Sequence, residues 1–185
     1  AAFPNRVEAM VQLALRQAEI LEDAGFSAIK ISLKSSDIPE MIAAYRRIAV
    51  LCDYPLHLGV TEAGTLLRGS VKSAIGIGTL LADGIGDTIR VSLTDDPLRE
   101  VDVARQILSE LGLKKQGWQF VSCPTCGRTE IDLIALATRV EQALSACPPP
   151  RPMKVAVMGC VVNGPGEAAD ADLGVAGGRG GGLIF

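Results

Sequence analysis

The chain has 185 residues, a formal net charge of −3, and 48% apolar but only 4% aromatic residues. That is enough chain for one or two α/β domains, and the mildly acidic balance argues against a nucleic-acid partner. Charges or glycines interrupt each apolar run before the roughly twenty residues a membrane helix needs, and five cysteines without a secretory context favour a reducing compartment and metal chemistry over disulfides.

Residues 7–24 carry apolar side chains at helical spacing up to Gly25, after which 28–34 (Ala28-Ile29-Lys30-Ile31-Ser32-Leu33-Lys34) reads as a strand. A helix over 38–51 follows, with Ser36 or Asp37 as N-cap and Pro39 in its first turn. Next come a strand at 56–60, a helix at 70–81, a strand at 88–93, and a helix at 97–111 capped by Asp95 or Asp96. Repeated βα units of this kind imply a parallel sheet or barrel. Three units cannot close one, since a complete TIM (β/α)8 barrel takes on the order of 250 residues. The polar segment 113–117 marks a boundary, giving domains 1–115 and 116–185. Beyond it the expected order is strand 118–122, a cysteine loop, helix 130–146, a proline-rich linker, strand 154–158 and a second loop. Gly177-Gly178-Arg179-Gly180-Gly181-Gly182 lacks the lysine and Ser/Thr of a phosphate-binding loop and is expected to be a flexible connection.

Cys123-Pro124-Thr125-Cys126-Gly127-Arg128 places two thiolates three residues apart. Some thirty residues on, Gly159-Cys160-Val161-Val162-Asn163-Gly164-Pro165-Gly166-Glu167 adds a third cysteine and an acid after an Asn-Gly-Pro-Gly turn. Both loops leave the C-terminal ends of expected strands, where α/β folds collect ligand sites. The spacing points to a metal site but leaves an iron–sulfur cluster, zinc and a redox pair open. Structural zinc would need a fourth Cys or His. His57 lies in a strand far upstream, where it reads as an inward-packed structural residue, and Cys147 stands where a helix end meets Pro148-Pro149-Pro150, so both are poor candidates. Cys52 reads as a small buried apolar residue.

The barrel half carries polar residues where a catalytic face belongs. Lys34 closes an apolar strand, so its ammonium stands at the strand's C-terminal end, suited to an anion; the plainer role is an exposed loop lysine. Arg90 and Ser92, two apart on one strand, project to the same side, where a buried guanidinium needs an anion or carboxylate; facing outward they would pack between helices. Glu62 follows the strand end Leu58-Gly59-Val60-Thr61 and precedes Ala63-Gly64, a position suited to a general acid/base or, alternatively, to a helix-terminal charge.

These segments resemble the 4-hydroxy-3-methylbut-2-enyl diphosphate synthase family, iron–sulfur enzymes of the non-mevalonate isoprenoid pathway. The resemblance is carried by the two cysteine motifs, by Leu56-His57-Leu58-Gly59-Val60-Thr61-Glu62-Ala63-Gly64 and by Val71-Lys72-Ser73-Ala74-Ile75-Gly76-Ile77-Gly78, and it runs from about residue 7 to the last. It implies the C-terminal half of a TIM (β/α)8 barrel followed by a small α/β iron–sulfur domain, with the N-terminal half of the barrel and the extreme C-terminus lying outside this sequence. It further implies a 4Fe-4S cluster held by Cys123, Cys126, Cys160 and Glu167, with Lys34, Arg90, Ser92 and Asn163 contacting substrate and Glu62 catalytic. The implied reaction opens 2-C-methyl-D-erythritol 2,4-cyclodiphosphate and reductively removes a hydroxyl, giving 4-hydroxy-3-methylbut-2-enyl diphosphate. Flavodoxin or ferredoxin as electron donor, a homodimer, and a bacterial cytoplasm or a plastid stroma complete the expectation. The competing reading is a non-catalytic zinc-stapled α/β module.

Overall fold

The structure, a computed structural model, describes residues 5–114, 117–162 and 164–185. The chain divides between 114 and 115 into two compact units. The first holds α1 (Arg6–Asp23), α2 (Ile38–Ile48), β1 (His57–Leu58), α3 (Leu66–Ala82), β2 (Thr88–Ile89) and α4 (Pro97–Glu110). Three of its four helices begin where short polar side chains satisfy free N–H groups: Asn5 accepts from Glu8 N–H at 2.8 Å, Asp37 from Glu40 N–H at 2.8 Å, and Asp96 from Leu98 N–H at 2.9 Å.

In this unit β1 and β2 pair in parallel, His57 opposite Thr88 and Leu58 opposite Ile89, and a single parallel bridge from Ile31 to Leu56 adds the segment before them. Every second residue, Ile31, Leu33, Leu56, Leu58, Val60 and Val91, is buried against the helices in one core with Val11, Met41, Tyr45, Ile48, Ile77 and Leu80. The alternation leaves Ser32 and Lys34, His57 and Gly59, and Arg90 and Ser92 on the opposite face.

The ladder is shorter than expected for 28–34, and Tyr45 supplies the reason. Ile31 N–H bonds Pro55 O and His57 N–H bonds Ile31 O, so the next rung would run from Leu33 N–H to His57 O. The Tyr45 hydroxyl occupies that rung, accepting from Leu33 N–H at 3.0 Å and donating to His57 O at 2.5 Å. The strands are thus bridged by a phenol just before Lys34, and main-chain pairing resumes at Thr61 N–H to Ser35 O.

The second unit is a four-stranded sheet in the order β3-β4-β5-β6, with β3 (Trp118–Ser122), β4 (Met153–Met158), β5 (Leu173–Gly178) and β6 (Gly181–Ile184). The first three strands run parallel and β6 returns antiparallel to β5. Helix α5 (Leu133–Ala146) crosses from β3 to β4, and α6 (Gly164–Glu167) follows β4. The glycine-rich segment 177–182 is therefore a β-hairpin, against the expectation of a flexible connection. Two of its glycines are set by close packing, because a Cβ on Gly177 would run into Ile131 and one on Gly178 would stand 3.1 Å from Val161, and Gly180 takes φ 74° at the turn. Among the described residues no helix is long and apolar enough to cross a membrane.

Candidate functional site

In the second unit the site follows from strand order. Because β3 and β4 are adjacent and parallel, the loops leaving their C-terminal ends meet, and Cys123, Cys126, Cys160 and Glu167 line one pocket of about 160 Å³ with Pro124, Arg128, Thr129, Gly159 and Gly164. Glu167 ends the short helix α6 instead of lying in a plain turn, and it is exposed. Cys123 and Cys160 are half-buried and Cys126 is exposed; all are free thiols. Cys123 Sγ accepts from Gly159 N–H at 3.2 Å. The Arg128 backbone N–H, and after it the Thr129 hydroxyl, lower the Cys126 thiol pKa from its ordinary value and so favour the thiolate.

Among the described residues no three His, Cys, Asp or Glu groups converge tightly enough for a single metal ion. Cys52 is half-buried against the first unit's core, and Cys147 is the exposed C-cap of α5, its carbonyl accepting from Trp118 Nε1 at 2.6 Å. Neither lines this pocket. Asn163, expected to contact substrate, lies outside the described residues.

In the first unit Arg90 lies across Gly59. A Cβ at position 59 would come within 2.9 Å of the Arg90 carbonyl oxygen, 3.2 Å of its Nε and 3.3 Å of its Nη2. The guanidinium Nε and Nη2 and the Ser32 hydroxyl are buried without a hydrogen-bond partner among the described residues. An unpaired buried cation is costly, so the arrangement is suited to an anion. Partial burial, and then the Arg90 charge, lower the Lys34 ammonium pKa. Its neighbour Ser92 is half-buried two residues beyond Arg90.

His57 is not part of the apolar core. Its Nδ1 stands 2.8 Å from Thr88 Oγ1 on the polar face, and burial, followed by the charges of Lys30, Lys34 and Arg90, lowers its pKa below the ordinary 6.5. An imidazole so surrounded by cations favours the neutral form. Glu62 is exposed and takes φ 52°, the one non-glycine among the described residues in the left-handed region. Such a conformation is held against a local cost and is common where a side chain must be aimed for function.

Ser32, Tyr45 and Thr129 belong to these sites and were not singled out from sequence. The polar positions Lys30, Ser32 and Lys34 in an otherwise apolar strand carried the signal for Ser32. The role of Tyr45 had no local signal, because its helix is read as ordinary core packing until the missing rung is seen.

Comparison with known proteins covers both units. A family model described as the GcpE TIM-barrel domain matches residues 2–105, and one described as the GcpE protein C-terminal domain matches 119–185. A curated protein of Clostridium perfringens is 61% identical over 178 residues, covering 96% of this chain and 50% of that protein. One of Caldanaerobacter subterraneus is 62% identical and one of Geobacter sulfurreducens 59% identical, with the same coverage. All three are named 4-hydroxy-3-methylbut-2-en-1-yl diphosphate synthase (flavodoxin). The chain spans about half the length of these relatives. It belongs to the GcpE family.

Proposed function

We propose that this chain is the C-terminal half of an enzyme that opens 2-C-methyl-D-erythritol 2,4-cyclodiphosphate and reductively removes a hydroxyl to give 4-hydroxy-3-methylbut-2-enyl diphosphate. Its first unit would be part of the substrate barrel and its second an iron–sulfur domain. The observation that carries the reading is the pocket at which two separate loops bring together three cysteines and one carboxylate. The donor set suits a 4Fe-4S cluster, for which thiolates are the usual ligands.

Cys123, Cys126, Cys160 and Glu167 would hold the cluster. When bound it supplies electrons one at a time to a reaction that needs two. Glu167, the only hard oxygen donor of the four, would hold its iron less firmly than the sulfurs hold theirs. In the barrel unit the Arg90 guanidinium and the Lys34 ammonium would pair with the diphosphate, giving the buried Arg90 nitrogens the acceptors they lack. Ser92 would add a hydrogen bond, and Asn163 another. Glu62 would give a proton to the departing hydroxyl, so that it leaves as water. A flavodoxin or ferredoxin donor, a homodimer and a cytoplasmic location go with this reading.

Metal analysis of anaerobically produced protein tests it. The expected result is a coloured protein with iron and sulfide in equal amounts; a colourless protein holding one zinc would replace the reading with a zinc-stapled module. Within the iron protein, Glu167→Cys should retain the cluster, whereas Glu167→Ala should lose iron readily. With the chain extended to its relatives' full length, both variants should be inactive. A Glu167→Ala protein with all its iron and full activity would make Glu167 a turn residue.

A further inference from the structure

Thr129 lies between the two cysteine loops and touches both. Its N–H donates to the Cys126 carbonyl at 3.0 Å, and its hydroxyl oxygen accepts the Cys126 N–H at 3.1 Å. Accepting that bond leaves the hydroxyl proton free to donate, and Cys126 Sγ stands 3.9 Å away, within reach for a sulfur acceptor. On the other side its methyl and its hydroxyl oxygen both abut Gly159, where an added Cβ would lie 3.0 Å from Thr129 Cγ2 and 3.1 Å from its Oγ1. Gly159 in turn donates its N–H to Cys123 Sγ, and its carbonyl accepts from Glu130 N–H at 3.1 Å. One side chain thus hydrogen-bonds one thiolate and packs against the residue that hydrogen-bonds another.

We infer that Thr129 is a positioning residue that sets the reduction potential of the cluster, through the hydrogen bond from its hydroxyl to Cys126 Sγ. The inference rests on the four-donor reading above. A donor aimed at a ligand sulfur stabilises negative charge there. Reduction adds one electron to the cluster, so the reduced form gains more from that donor than the oxidised form, and the potential rises. The competing role is mechanical: the methyl merely holds the Gly159 loop against the Cys126 loop.

Two substitutions separate these roles. Thr129→Val keeps the branched shape and the methyl contact but has no hydroxyl; Thr129→Ser keeps the hydroxyl and drops the methyl. Each is prepared anaerobically beside the parent, its iron and sulfide measured, and its cluster titrated with mediators while the visible band and the electron paramagnetic resonance of the reduced state are followed. The midpoint is expected to move to a more negative potential in Thr129→Val and to stay at the parental value in Thr129→Ser. A Thr129→Val midpoint equal to the parent's, or a Thr129→Ser shift as large as that of Thr129→Val, overturns the inference. Loss of the cluster in Thr129→Val, alone or with Thr129→Ser, shows a loop clamp and overturns the inference, because the hydroxyl also accepts the Cys126 N–H. A parent that holds no iron would bring down the four-donor reading and this inference together, whereas an iron-loaded parent with indifferent variants brings down the inference alone.

Discussion

Glu62 combines two observations that bear on its role. It sits at the end of the β1 segment, and its backbone takes a left-handed conformation that costs a side-chain-bearing residue about 1 to 2 kcal/mol. Glycine would adopt that conformation without the cost, though it would lose more backbone entropy on folding. In the chain extended to its relatives' length, Glu62→Gln should therefore lower turnover about 100-fold while leaving the cluster spectrum and the melting temperature unchanged. Glu62→Gly should lose as much turnover yet unfold at the same or a slightly higher temperature. Near-normal turnover in Glu62→Gln, measured with a competent reductant, would return the residue to the role of a helix-terminal charge. At this scale the sequence was legible where rare residue types stand at fixed spacing: Cys123, Cys126 and Cys160 meet at one pocket. It was not legible for Thr129 or Ser32, whose hydroxyls are too common to signal anything until a neighbour's unpaired group or sulfur is seen.

Elements were legible where one residue type decides an end. Asp96 and Pro97 start α4, and Asp37 with Pro39 starts α2, as their capping chemistry requires. The starts of α3 and α5 were misjudged for physical reasons. Helix α3 begins at Leu66 behind Thr65, which makes no side-chain cap bond and so gives no strong signal, four residues before the expected Ser70. Helix α5 begins at Leu133, because Glu130 is drawn away to Gly159 O and to the Arg179 N–H, and Asp132 caps the helix instead. The strand segments yield a sharper test through Gly59, whose missing side chain makes room for Arg90. In Gly59→Ala the new Cβ meets the Arg90 carbonyl at 2.9 Å, and backbone cannot swing aside as a side-chain tip can, so the guanidinium must be displaced. Hydrogen bonds to charged groups are worth about 1.5 to 3 kcal/mol, so KM for the cyclic diphosphate should rise about tenfold or more. Gly78→Ala, in open space on α3, is the control: it should leave KM alone and stabilise the helix by about 0.5 to 1 kcal/mol. Equal KM values for the two variants would show that Arg90 does not meet the diphosphate.

For the whole molecule, the polar segment 113–117 interrupts both periodicities, and the chain divides into two compact units between 114 and 115. The state of the first unit's edge was not legible, since no local pattern reports which strands pair across it. Among the described residues the segment carrying Ile31 has one ladder partner, Leu56, and its other side is bare. Between it and α1 runs a groove of about 430 Å³ lined by Met10, Leu13, Leu21, Ile31 and Leu33 among others, and Leu13 is 59% exposed. An uncovered apolar groove beside an unpaired strand edge invites association. The chain spans about half the length of its relatives, and on the proposed reading the remainder of an eight-stranded barrel would supply both further rungs and further groups for the diphosphate. The 185-residue chain by itself is therefore expected to show no turnover, even with its cluster loaded and a strong reductant present, and to self-associate with rising concentration in light scattering. Leu13→Lys should reduce that association without restoring turnover, whereas co-production with the relatives' unmatched half should remove the association and restore turnover together. Turnover by the isolated chain, or a monomer that persists at high concentration, would show that this half needs no such complement.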